Sequence, residues 1–290
     1  MRVSVGKIAF GAAVIAMLLL LTAAALVIAL FVARPHAAAA LHELPGNTWW
    51  FLYDAAPRGG SSAPLWRIGA AAAAALVALA AAYRARRLFR SVSPPMLPFL
   101  SLFLFSLGFE CLRGATAWLY AADRSIEAAV VLTRVIYWGR FVGLLGLLLG
   151  ALYCADLRYK KYAVLAGAVM VVSFALAAYI PIDRTVFLAQ LTWKLGDEQG
   201  VWFVNLVISL LVLGAGASSR LTRRDGRCLA ITGGFALLLL SRELLFFSLT
   251  PILQGCGLLS LAAGIILCLR VIPRVAEPPR VAEPRTRRAS

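Results

Sequence analysis

Eight apolar runs, each roughly 17–25 residues long, divide this chain, and nothing else in it restricts the fold so sharply. They lie at about 8–32, 65–83, 97–119, 128–153, 162–180, 201–217, 229–247 and 253–271. At about 1.5 Å of rise per residue, a helix of that length crosses the ~30 Å hydrocarbon core of a bilayer. Lipid offers the backbone no hydrogen-bond partner, so each run must pair its own N–H and C=O groups, and a helix does so within one segment. The expected fold is therefore an all-α integral membrane protein, a bundle of about eight transmembrane helices over residues 1–272. Composition agrees, with 62% hydrophobic and 14% charged residues, where soluble domains carry about half and about a quarter.

A net charge of +16 would suit a nucleic-acid binder, but the basic residues sit in short segments between the runs, where they act as a topology signal. With the N-terminus inside, nineteen Lys and Arg fall in cytoplasmic segments and six in outer ones. This asymmetry predicts a bacterial inner-membrane protein with both ends in the cytoplasm. Expected partners are membrane lipids, an anionic ligand and a protein engaging the basic loops and tail, with no nucleic acid. The first run, at about 25 residues, exceeds the roughly 7–15 residues of a signal-peptide core, so it reads as an uncleaved anchor.

Two segments flank the bundle. The outer loop at 33–64 gathers Trp49, Trp50, Phe51 and Tyr53, rings suited to an interfacial belt or to a lid over an outward-facing cavity. At the other end, residues 273–290 carry two tandem Pro-Arg-Val-Ala-Glu-Pro repeats and read as a disordered basic tail. No cofactor is expected. His36 and His42, the two histidines, lie in the outer loop and offer no axial ligand to a haem. The four lysines, Lys7, Lys160, Lys161 and Lys194, lie in or beside loops, so no span supplies a Schiff-base lysine. The five cysteines stand singly, without a metal-binding pair.

Six ionisable residues interrupt the apolar runs: Glu110, Arg113, Arg134, Arg140, Arg242 and Glu243. A charge at the centre of a lipid-facing helix costs at least about 2.5–3.5 kcal/mol, so all six are expected to face the bundle interior or water. By helix rise they belong to the middle and outer half of the bilayer, with Arg134 about 8 Å and Arg140 about 17 Å below the outer surface. Glu110 and Arg113 share a helix face. Arg134 and Arg140 point about 120° apart, which suggests interhelical pairs such as Glu110 with Arg140 and Glu243 with Arg134. Four guanidiniums face two carboxylates, leaving two positive charges over, and a buried arginine does not escape by deprotonating. That surplus points to an anionic or zwitterionic ligand, a small molecule or a lipid headgroup, with Glu110, Arg113, Arg134, Tyr137, Arg140, Arg242 and Glu243 as candidate binding residues. The alternative is ion pairing that only sets helix register.

Gly139, Gly143, Gly146 and Gly150 form one stripe on the fourth run, which is expected to pack centrally. A transporter or lipid flippase would use the same charges, but no internal repeat or pair of broken helices is visible in the sequence. The stretch Phe-Glu-Cys-Leu-Arg-Gly, with Glu110, Cys111 and Arg113, resembles the exosortase type of membrane transpeptidase over those few residues alone, without that family's further motifs. No catalytic residue is assigned.

Overall fold

The computed structural model describes residues 2–41, 44–45, 63–92, 96–155, 157, 161–223, 226–248 and 250–276. Among them, eight helices are long and apolar enough to cross a membrane. The chain is a multi-pass helical membrane protein. In order, the helices are α1 (Arg2–Ala33), short α2 (Pro35–Ala39), α3 (Ala63–Val92), α4 (Leu97–Ser106), α5 (Leu112–Ala121), α6 (Ile126–Cys154), α7 (Tyr162–Tyr179), α8 (Glu198–Arg223), α9 (Gly226–Phe247) and α10 (Pro251–Ala276). The aromatic cluster at 49–53 and the tail from 277 onward lie outside the described residues. The start of the tail is helical, since α10 continues through Pro273 to Ala276.

The third span is one membrane crossing in three pieces, because a 3-10 segment, Leu107–Cys111, separates α4 from α5. Its tighter winding falls on the turn that carries Glu110, in a place where the sequence suggested no interruption. The spans 97–121 and 126–154 form the heart of the bundle, each with 67% of its most apolar window buried. By contrast, the spans on α7 and α8 have 17% buried and turn most of their surface outward.

Small residues allow the close approaches at the heart. The glycine stripe of α6 lies against the third span, where a Cβ on Gly139 would come within 2.6 Å of the Phe109 Cβ and one on Gly143 would collide with the Ser106 hydroxyl. α3 packs through Ala74, Ala75, Ala78 and Ala85, all buried. α9 and α10 cross backbone to backbone, since a Cβ on Gly264 would sit 3.0 Å from the Gly234 carbonyl.

One element departs from the all-helical expectation. Between α7 and α8 the chain forms an antiparallel hairpin of β1 (Ile182–Leu188) and β2 (Thr192–Leu195). Its tip turns back into the bundle, with Ala189, Gln190, Leu191, Thr192 and Trp193 all buried. Leu191 holds a left-handed backbone, φ 65°, at the last residue of the three-residue turn. Stacking of Phe187 on Tyr120, centroids 4.3 Å apart, seats the hairpin on the end of α5.

Candidate functional site

Charge gathers where the 3-10 segment, α6 and the end of α9 meet. Arg140, on the buried face of α6, donates through Nη2 to Glu243 Oε1 at 2.9 Å and through Nη1 to Glu110 Oε1 at 3.4 Å. Its guanidinium also lies 3.8 Å from the centroid of the Phe246 ring. One arginine thus bridges two carboxylates from two other spans, with an aromatic face as its third neighbour. The Glu110–Arg140 pair matches the sequence expectation. Glu243 pairs with Arg140 in place of Arg134, because Arg140 occupies the inward face of α6 and Arg134 does not.

Arg113 does different work. Its Nε donates to the Gln190 carbonyl at 2.8 Å, and its Nη1 and Nη2 donate to the Leu245 and Phe246 carbonyls at 3.2 and 3.3 Å. Leu245 and Phe246 lie in the last turn of α9, where carbonyls lack helical partners and the helix dipole favours a cation. Glu110 Oε2 stands 3.8 Å away. Arg113 therefore caps α9 and pins the hairpin tip in one contact set. Two further donors hold that tip by its backbone. Arg67 Nη1 donates to the Ala189 carbonyl, and the Thr116 hydroxyl donates to the Leu191 carbonyl at 2.5 Å. Three consecutive carbonyls of a non-helical turn are thereby satisfied inside the bundle, about 8–12 Å along α5 from its C-terminal end.

Arg67 is one of the six outer Lys and Arg residues on the sequence reading, at the edge of the second apolar run, yet it is buried. Arg134, expected in the cluster, has an exposed side chain. It lies eight residues into α6, about 12 Å from Ile126. Among the described residues the buried charges are thus Arg67, Arg113, Arg140 and Arg242 with Glu110, and Glu243 at the edge with its side chain 28% exposed. Four cations against two anions remains the balance, with Arg67 in the place expected of Arg134.

The surplus is not spread evenly. Arg113 and Arg67 use backbone carbonyls, and Arg140 uses both carboxylates. Arg242 is 1% exposed beside Arg140, Glu243 and Glu110, and its Nη1 and Nη2 have no hydrogen-bond partner among the described residues. Cys111, beside Glu110 in the chain, contacts the Ala71 carbonyl of α3 at 3.9 Å.

A cavity of about 300 Å³ adjoins the cluster between α8 and α9. Tyr137 and Glu243 are the candidate residues that line it, and no arginine does. Glu198, Asn205 and Ser209 line it from α8. These three escaped the sequence reading, although an asparagine and a serine four apart in an apolar run were the available signal.

No protein-family model, curated protein or solved structure matches this chain. Its fold and its site define it as a multi-pass helical membrane protein with buried Arg–Glu ion pairs.

Proposed function

We propose that this chain is a bacterial inner-membrane protein, with both ends in the cytoplasm, that binds or senses a zwitterionic or anionic small molecule or lipid headgroup at its Arg–Glu cluster. The observation that carries the reading is Arg242, whose two terminal nitrogens are buried without partners beside a network that already uses both carboxylates. A protein selected only for stability gains by replacing such a charge, since an unpaired buried ion costs several kcal/mol. A binding site keeps the charge for its ligand to neutralise. The basic cytoplasmic segments would carry occupancy to a protein partner.

Arg242→Gln tests this. The variant is expected to fold and to be at least as stable as wild type when stripped of ligand, while losing the phospholipid or other anion that native mass spectrometry detects on gently extracted wild type. If wild type and variant carry identical lipids with equal thermal stability in detergent, the cluster is scaffold and the reading is wrong. A transporter or flippase is the second reading, favoured by the 3-10 interruption at Leu107–Cys111, since broken helices line the midplane sites of that class. Ligand uptake into proteoliposomes separates movement from binding.

A further inference from the structure

The cavity beside the cluster has its own chemistry. Its ionisable lining groups are the carboxylates Glu198 and Glu243 with the phenol of Tyr137, and the rest is mostly apolar. Asn205 and Glu243 both line it, and helix geometry sets them at one level. Lower in the same helix pair, Gly216 packs against Thr232. Asn205 precedes Gly216 by eleven residues and Glu243 follows Thr232 by eleven. Two antiparallel helices of equal rise therefore carry Asn205 and Glu243 to the same height. That height is about 6 Å along α9 from its outer end and about 10 Å along α8, near the boundary between headgroups and acyl chains.

Both residues are short of donors. Glu243 uses Oε1 for Arg140, lines the cavity and has a side chain 28% exposed. The Asn205 Oδ1 atom is buried without a donor among the described residues. Trp202, Leu206 and Leu240 line the cavity and are also exposed, so its rim lies on the lipid-facing surface of the bundle.

We infer that this groove seats the primary-ammonium headgroup of a phospholipid, the ammonium held between Glu243 and Asn205 and the acyl chains lying along Leu206 and Leu240. The inference rests on the proposed reading of the bundle as a binder and names the ligand class. A primary ammonium on a lipid carries three N–H donors and no acceptor, which matches a groove rich in acceptors. A quaternary ammonium donates no hydrogen bond and would leave Asn205 Oδ1 unpaired. An anionic headgroup without an amine would meet two carboxylates. Lys194 is not in the groove lining but interacts electrostatically with Glu198, which lines it, so a cation for the lipid phosphate stands near that end of the groove. A soluble amine would forgo the apolar side of the groove, whereas a lipid reaches the rim from the bilayer.

The test is competition among headgroups on purified protein stripped of lipid, read by native mass spectrometry with phosphatidylethanolamine, phosphatidylcholine, phosphatidylglycerol and free phosphoethanolamine. Wild type should retain phosphatidylethanolamine about tenfold more tightly than the other two lipids, the worth of one charge-assisted hydrogen bond. Free phosphoethanolamine should not be retained. Asn205→Leu should erase the preference over phosphatidylcholine, and Asn205→Asp, which keeps an acceptor of the same shape, should preserve it. Leu206→Trp changes an exposed rim residue and should lower retention of every lipid in the groove. Equal retention of phosphatidylethanolamine and phosphatidylcholine by wild type overturns the inference, as does free phosphoethanolamine binding as well as the lipid. A preference for phosphatidylglycerol that vanishes in Arg242→Gln would overturn this headgroup while sustaining the anionic form of the wider reading. Failure of wild type to retain any lipid or free headgroup would sink both.

Discussion

Glu110 and Glu243 accept from the same guanidinium, yet they stand in unlike surroundings. Glu110 has its side chain 4% exposed, sits on a 3-10 turn in one of the two most buried spans, and has Arg113 and Arg140 within 4 Å. Glu243 is 28% exposed, has one arginine on one oxygen, and borders a groove whose other wall is a span with 17% of its apolar window buried. At the heart, charge serves position: Arg113 and Arg140 tie the third, fourth and seventh spans and the hairpin tip into one arrangement. At the groove, the same network ends on a carboxylate with capacity left over. One ion network is thus closed at one end and accessible at the other.

Arg140 is where this contrast should break most visibly. Arg140→Gln leaves Glu110 buried with only the more distant Arg113 and is expected to cost about 3–5 kcal/mol, read as a fall in the thermal unfolding midpoint in detergent. A loss below about 1 kcal/mol would show that the heart tolerates an unpaired carboxylate, erasing the distinction. Arg113→Met should cost less, about 2–3 kcal/mol, because Glu110 keeps Arg140 while the Gln190, Leu245 and Phe246 carbonyls lose their charged donor. Its signature is local: a cysteine placed at Gln190 should become open to thiol labelling. Unchanged protection there would mean that apolar contacts alone seat the hairpin. Arg134→Gln should change stability by no more than about 0.5 kcal/mol and leave ligand retention intact. A larger effect would put Arg134 into the cluster after all and sharpen the contrast in the opposite direction.

The number and placement of the spans were legible, with the observed bounds within a few residues of those read from the apolar runs. The central place of the fourth span was legible too, because glycines at spacings of four, three and four mark a surface without side chains. The hairpin was not. Its two short strands lie between spans, where no hydropathy threshold reports them, and its tip is buried where Arg67, Arg113 and Thr116 meet the carbonyls of Ala189, Gln190 and Leu191. The break at Leu107–Cys111 escaped for a related reason: Leu-Gly-Phe-Glu-Cys has nothing that forbids an ordinary α-turn. Arg67 looked like a loop charge because it stands two residues inside the start of its apolar run.

The sequence by itself determined that this chain carries eight helices long and apolar enough to cross a membrane and that its interior carries more guanidinium than carboxylate. Span length, hydropathy and charge are local properties, and hydrocarbon thickness and desolvation act on them directly. Only the tertiary structure decided that Arg140 holds both carboxylates, that Arg113 caps a helix, that Arg134 turns outward, and that Asn205 and Glu243 line one groove. Charges on three spans admit several pairings until each helix is rotated about its axis. That rotation is set by non-local packing, such as Gly139 against Phe109 and Gly216 against Thr232.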